Sequence, residues 1–407
     1  MFCGTLQGVY HPFTFLDFNG NMQLTIQHII SIVTWLVVSL SISVNVFAQN
    51  SLESAHPTHL ATPELILKPL YSTDRFPNVA VAKDGTVLAF WNGVQVRRST
   101  DGGVTWSEPI SVGSGFMGGG VIVDESSGDI LAFVESHHPP AEVTLYRSTD
   151  HGQTWSQQTT EIRPNSLGHV PSMHMNDHGI TLRHGKYAGR LIRATRWYAG
   201  KNDRSKWSEH YTNAMFSDDG GQTWQASEPF PAFGTGEAAI AELSDGRLYY
   251  NSRRHWAPEG ENPLRRWSAI SNNGGQTWTD LKFCQVLPDG DQHRSYGLMG
   301  GLVRLPVQDK DILIYSNIIS PEGRQNGHVW ASFDGGQTWP IQRQIFAGNF
   351  AYSSLDAGRP NTPSEGWIYL LFEGGPQGGG TMAKFNLAWI LEGEKTGDGV
   401  IPDWAIR

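Results

Sequence analysis

Five copies of one eight-residue pattern constrain this chain more than anything else in it. Ser, any residue, Asp or Asn, any residue, Gly, any residue, Thr, Trp recurs from Ser99 to Trp106, Ser148 to Trp155, Ser217 to Trp224, Ser271 to Trp278 and Ser332 to Trp339. The fourth copy has Asn273 where the others have Asp, and the serines are spaced by 49, 69, 54 and 61 residues. A repeat of this length is one supersecondary unit that buries its apolar face only by stacking on its neighbours. Each copy reads as a hairpin turn: the Asp side chain accepts nearby backbone N–H groups, Gly supplies a positive φ, and Trp packs back on the sheet. A calcium loop is the competing reading, and it fails on ligand count. No copy offers more than two carboxylates and the fourth offers none, whereas calcium takes about six to eight oxygens.

A repeat of this length reads as four short strands, one blade of a propeller. Composition agrees. The 46 Gly among 407 residues exceed the usual share of about 7%. With 15 Trp to bury and only 17% charged residues, the chain is neither a coiled coil nor disordered. The expected fold is all-β, a six-bladed β-propeller over residues 49–407. Five boxes mark five blades, and the sixth runs from Phe350 to the C-terminus. Its last strand, near Phe385 to Ile390, would be joined by an N-terminal strand to close the ring.

Residues 1–48 read as a leader. Ile29 to Phe47 is an apolar run, and Val46-Phe47-Ala48 is an acceptable cleavage site. No Lys or Arg precedes Lys68, so the usual basic flank is missing, and Met22 is an alternative start to Met1. An uncleaved membrane anchor is the alternative fate of the run; otherwise no membrane insertion is expected. A cleaved leader makes the mature chain secreted or periplasmic. It also removes Cys3, so Cys284 stands alone and no intrachain disulfide forms.

The formal charge is −9, from 30 Lys plus Arg against 39 Asp plus Glu. That gives no basic footprint for nucleic acid. If such a chain binds an anion, it must do so with a local cluster of cations. Blade topology says where to look. The first strand of a blade runs down from the upper face along the axis, and the box, between strands three and four, lies on the lower face. The upper rim therefore carries the starts of first strands and the loops between second and third strands. Glu237 and Tyr352 each lie 13 residues after a box Trp, where a first strand starts. Arg75 opens the first strand of blade 1. Arg253 and Glu373 end second strands, and Arg324 lies in a second-to-third loop. Three Arg, two Glu and one Tyr thus converge on one rim.

In these segments the chain resembles the bacterial exo-sialidases, or neuraminidases, whose Asp-box repeat matches the five copies above. Arg75-Phe76-Pro77 is similar to that family's Arg-Ile-Pro motif. Gly236-Glu237 with Asn251-Ser252-Arg253 resembles its segment from Glu to the second Arg. Arg324 before the fifth box, and Ala351-Tyr352-Ser353 with Phe372-Glu373, resemble its remaining segments. The resemblance implies a sialidase-like propeller that hydrolyses terminal α-linked sialic acid with retention of configuration. It implies that Arg75, Arg253 and Arg324 clamp the substrate carboxylate, that Glu373 orients Arg75, and that Tyr352 attacks the anomeric carbon with Glu237 as its base. A neutral nucleophile suits a carbon that bears a carboxylate, and sialidases are an exception to the two-carboxylate rule of glycosidases. The implied partner is a sialylated glycan or another anionic sugar, with no cofactor and no metal.

Two stretches depart from the family. Its acid/base is an Asp in the second-to-third loop of blade 1, and here that loop is Trp91-Asn92-Gly93-Val94-Gln95, without a carboxylate. Its Asp or Asn and Pro at the start of blade 2 are replaced by Gly118-Gly119-Gly120. The same rim offers substitutes: Glu135, His137 and His138 at the end of the second strand of blade 2, and Asp203, Glu209 and His210 in blade 3. Glu135 and His137 are the first candidates for proton donor. A metal site at His137 and His138 has no third ligand within sequence reach. Three further functions stay open: an enzyme for a related ulosonic acid, a propeller that binds a sugar without turning it over, and a scaffold with no sugar role.

Overall fold

Strands at the centre of this chain are apolar on both faces, as strands covered from both sides must be. A computed structural model describes residues 53–406 apart from 93, 117–119, 175, 259 and 291–296. The expected leader and the choice between Met1 and Met22 lie outside the described residues, as do Gly118, Gly119 and Gly93.

After β1 (Leu65–Tyr71), the described chain forms four separate sheets and one of eight strands. Sheet A holds β2 (Pro77–Val81), β3 (Val87–Trp91), β4 (Gln95–Ser99) and β5 (Ile110–Ser111). Sheet B holds β6 (Val121–Val123), β7 (Ile130–Glu135), β8 (Val143–Ser148) and β9 (Ser156–Gln158). In sheet C, β11 (Ile180–Thr181), β12 (Leu191–Trp197), β13 (Tyr211–Ser217) and β14 (Thr223–Ala226) are edged by β10 (Glu161–Arg163), which pairs parallel to β14. Sheet D holds β15 (Ala238–Glu242), β16 (Leu248–Ser252), β17 (Arg265–Ser271) and β18 (Thr279–Pro288). Sheet E runs β19 (Leu302–Arg304), β20 (Leu313–Ile318), β21 (Gln325–Ser332), β22 (Ile341–Ala357), β23 (Ile368–Gly374), β24 (Gly380–Phe385) and β1, with β25 (Glu394–Lys395) beside β22. Every residue of β2, β3 and β15 is buried, whereas β9 is wholly exposed. Burial falls outward from one axis.

Neighbouring sheets are laced together at that axis. Val79 N donates to Ser354 Oγ (3.0 Å) and Val81 N to Asp356 (2.7 Å), tying β2 to β22. Asn78 accepts from Val121 N (3.1 Å), leading to β6, and Gly179 N donates to Val121 O (2.8 Å), leading to sheet C. Asn176 accepts from Ala238 N (3.1 Å) at sheet D. Asp177 accepts from Leu302 N (2.8 Å) and Ser354 Oγ (2.5 Å), which returns the circuit to sheet E. The arrangement is a β-propeller.

The five boxes occupy the turns expected of them, each between the third and fourth strands of a sheet. In the first, Ser99 Oγ donates to Asp101 (2.8 Å) and accepts from Gly103 N (2.8 Å), while Asp101 accepts from Thr105 N (2.9 Å) and Thr105 Oγ1 (2.5 Å). The second, third and fifth boxes repeat this set, and the fourth differs in that Asn273 Nδ2 donates to Thr277 Oγ1 (2.8 Å). The Gly at the fifth position of each box has a φ between +83° and +89° and faces the second strand of the preceding sheet. Gly152 meets Leu88, Gly221 meets Leu131, Gly275 meets Ile192, Gly336 meets Tyr249, and Gly103 meets Tyr369 of β23. The boxes therefore do more than turn the chain: they key each sheet to its neighbour.

Two expectations are corrected. The stretch Phe385 to Ile390 is not the last strand. That strand is β24, and Leu387–Leu391 forms a short helix, α1. Asn386 caps it by accepting from Trp389 N (2.9 Å), which turns the chain out of the sheet. The expected closure holds on β24 instead, where β1 pairs antiparallel from Leu65↔Phe385 to Tyr71↔Gly380. Second, Tyr352 does not start a strand. It lies inside β22, a 17-residue strand whose first part pairs with β21 and whose second part pairs with β23. Cys284 is free and buried.

Candidate active site

The rim opposite the boxes brings all six sequence-predicted residues together. Arg75 leads into β2 between two residues in the left-handed region, Asp74 (φ 67°) and Phe76 (φ 72°). Glu373, at the end of β23, holds this bend. One of its oxygens accepts from Phe76 N (3.0 Å), and the other accepts from Arg75 Nε (3.2 Å) and Nη2 (3.0 Å). The carboxylate fixes the guanidinium in plane and balances its charge, and Arg75 still leaves 46% of its side chain open.

Glu237, just ahead of β15, is the hub. Its Oε1 accepts from Tyr352 Oη at 2.7 Å, and its Oε2 accepts from Arg253 Nη1 at 2.8 Å. Arg253 follows β16 and also donates from Nε to Asp289 (3.1 Å), while its buried Nη2 has no hydrogen-bond partner among the described residues. Arg324, immediately before β21, lies with its guanidinium carbon 4.4 Å from the centre of the Tyr352 ring, and Arg75 lies 5.0 Å from the same ring.

Electrostatics separates the pair. Burial pushes the Glu237 carboxyl up, but Arg253, Arg324 and the hydrogen bonds from Arg253 and Tyr352 outweigh it, so its pKa lies below the ordinary value. Burial, reinforced by the Glu237 charge, pushes the Tyr352 phenol up to about 12. The ground state is thus a carboxylate receiving a hydrogen bond from a neutral phenol. It is a base in contact with a proton that the phenol gives up only as its oxygen forms a new bond.

Glu237, Arg253, Arg324 and Tyr352 line a cavity of about 230 Å³. Of the other walls, the sequence reading named only His138. Arg196 is stacked between Tyr198 (4.3 Å) and Trp256 (4.0 Å), and its guanidinium lies beside Gly236, where a Cβ would come within 3.4 Å of it. His138, His174, His255 and Trp207 also face the space. Burial holds His174 and His255 well below the ordinary histidine value, His138 adding to the effect on the first and Arg253 to that on the second. Arg196 lies in β12, the second strand of its sheet, so the periodicity that located Arg253 also pointed to it. Asp289, behind Arg253, had no such signal.

The proposed proton donors fare differently. Glu135 does not line the cavity. It is fully buried, accepting from Ser172 Oγ (2.6 Å) and Met173 N (2.9 Å), and burial pushes its pKa up to about 7 against those bonds. It braces the end of β7 against the segment that carries His174. His137 is exposed and bonded to Ser136 Oγ (2.9 Å). Asp203 is exposed and caps a 3₁₀ turn through Ser205 N (2.9 Å). Glu209 pairs with Lys206 (2.7 Å) at the surface, and His210 is buried behind Arg196, 3.5 Å from its Nη2. None of the five reaches the cavity.

The BNR repeat-like domain family matches residues 85–359. A sialidase from Micromonospora viridifaciens is 32% identical over 373 residues, which span 82% of this chain and 54% of the relative. A sialidase from Bacteroides fragilis (strain YCH46) is 27% identical over 337 residues, 69% of this chain and 57% of the relative. The chain spans little more than half the length of these relatives. Among solved structures, Hadza microbial sialidase Hz136 superimposes with a TM-score of 0.61 at 23% identity, covering 78% of this chain and 66% of that one.

Proposed function

This chain belongs to the BNR-repeat family of bacterial sialidase-like proteins, and from that premise we propose that it is a retaining exo-α-sialidase of six blades. The eight-stranded sheet counts as two blades that share β22, which gives six with the four separate sheets. In this reading Arg75, Arg253 and Arg324 bind the sugar carboxylate. Planar guanidinium groups offer it paired donors, each bond contributing about 1.5–3 kcal/mol. Tyr352 Oη attacks the anomeric carbon while its proton passes to Glu237 Oε1. The tyrosyl–sugar bond is then broken by water, and Glu237 returns the proton. The apolar run Ile29 to Phe47 supports action outside the cytoplasm, on glycans displayed there.

The observation that carries this reading is the 2.7 Å bond from Tyr352 to Glu237, with Arg253 on the other carboxylate oxygen. Binding alone has no use for a base on a phenol. A second reading, a propeller that binds the sugar without cleaving it, draws on Glu237 being the one carboxylate among the described residues that line the cavity. An activated aryl sialoside separates them, because its leaving group hardly needs a proton. Hydrolysis by the wild type that is lost in Tyr352→Phe supports the enzyme. No turnover, with sialic acid binding that disappears in Arg324→Ala, supports the binding propeller. Turnover of another aryl ulosonide alone moves the substrate to that sugar.

A further inference from the structure

We propose that His138 is the acid–base residue of this site, delivering a proton to the leaving oxygen through Nε2. The inference rests on the reading of the cavity as a glycosidase site, and elimination brings it to one side chain. Glu237 and Tyr352 are committed to each other at 2.7 Å. The arginines hold their protons at any working pH. Tyr198 is buried, its hydroxyl lacks a partner, and burial raises its pKa beyond useful acidity. His174 is buried with neither ring nitrogen bonded, and His255 is buried beside Arg253. Both are almost wholly buried, and that burial disfavours the charged form a proton donor needs. Among the described residues, His138 is the remaining titratable lining residue, and it is open to solvent.

Its orientation suits the task. Nδ1 lies 3.2 Å from the Pro139 carbonyl, which accepts only, so Nδ1 carries a hydrogen and donates. The titrating nitrogen is therefore Nε2, which makes no hydrogen bond to the described protein. The ring stands 4.5 Å from His174 and 6.3 Å from both Phe116 and Tyr198. The charged and titratable groups around it are His137 on its own loop, His174, Tyr198 and Arg196. Among the described residues no carboxylate forms an ion pair with it. Partial burial, then Arg196 and His137, hold it below the ordinary histidine value, against the pull of the Pro139 carbonyl.

The step balances. As the Tyr352 oxygen bonds to the anomeric carbon, the bond to the leaving oxygen breaks with its electron pair, and that oxygen takes the proton from Nε2. In the second half, Nε2 takes a proton from the attacking water while the tyrosyl bond breaks and Glu237 reprotonates the phenol. Acid is supplied only below the pKa of His138, itself below the usual value of about 6.5, so cleavage of an unactivated glycoside falls as pH rises through that point.

The test compares an aryl sialoside carrying a good leaving group with a sialyl-lactose, in wild type, His138→Gln and Tyr352→Phe. We expect His138→Gln to lose about 100-fold or more in kcat/KM on sialyl-lactose, in line with the worth of general acid catalysis. On the aryl sialoside it should keep activity within about 10-fold. The falling alkaline limb should be present for wild type on sialyl-lactose and absent on the aryl substrate. Equal losses on both substrates, or no loss on sialyl-lactose, overturn the assignment while Tyr352→Phe still abolishes activity. If the wild type hydrolyses neither, the glycosidase reading and the assignment fall together. If His138→Gln does not fold, the wild-type profiles decide alone, and an identical limb on both substrates overturns the proposal.

Discussion

Glu237 shows how a buried charge is made tolerable and useful at once. A carboxylate taken out of water is costly unless paired and hydrogen-bonded, and Arg253 supplies both at 2.8 Å. Removing the carboxylate while keeping the shape, in Glu237→Gln, leaves Tyr352 without a base. Its kcat/KM on an aryl sialoside is expected to fall by about 100-fold or more. Because the wild-type carboxyl titrates below its ordinary value, wild-type kcat/KM should fall only at pH under about 4.5, and the variant should lack that limb. Glu135 makes the opposite case. Its pKa is raised to about 7, so the folded state holds a proton that the unfolded chain releases near 4.5. The stability this contributes is full below pH 4.5 and is lost as pH rises through 7, up to about 3 kcal/mol. The wild-type unfolding midpoint should therefore drop across that window relative to Glu135→Gln, and parallel curves would contradict the account. Sequence alone placed both residues near the rim. It did not tell them apart, because the difference lies in which neighbour each oxygen finds: Arg253 and Tyr352 for one, Ser172 and Met173 for the other.

At the scale of elements, the boxes were fully legible, since their hydrogen bonds run between residues no more than four apart. Their second role, keying one sheet to the next, was not, because Ile192 or Leu131 lies far from the glycine it meets. Gly275→Ala adds a Cβ at a φ of +84° that collides with Ile192 Cδ1. Left-handed strain and overpacking together predict roughly 2–4 kcal/mol of destabilisation, read from urea unfolding. A change under about 0.5 kcal/mol would mean the box is only a turn. The continuity of β22 was hidden for a related reason. A repeat marks a boundary between blades, yet β22 keeps one strand across it by changing partner from β21 to β23 near Phe350. That strand carries Tyr352 between two sheets, so the candidate nucleophile sits on rigid scaffold.

On the scale of the whole molecule, the ring closes through β1 on β24. Ring closure brings Arg75, which follows β1, to Glu373 from 298 residues away. A chain beginning after Tyr71 should therefore unfold at a lower temperature than the intact chain and lose activity with its stability. An unchanged midpoint would show that closure does not depend on β1. The overall charge of −9 said where not to look and little about where to look. Topology did that, by sending every box to one face and every candidate residue to the other. Departures from the family pattern were also visible in sequence, but their consequence was not. Only packing shows that the carboxylates nearest the gap are turned away and that a histidine faces the cavity.

The most direct test of the account is whether the sugar becomes bonded to Tyr352. A sialosyl fluoride bearing fluorine beside the anomeric carbon forms the covalent intermediate readily and releases it slowly. Intact-mass analysis of the wild type should show one added sugar, and peptide mapping should find it on Tyr352, with no adduct in Tyr352→Phe. Turnover without any adduct, or an adduct on another side chain, would contradict the central claim.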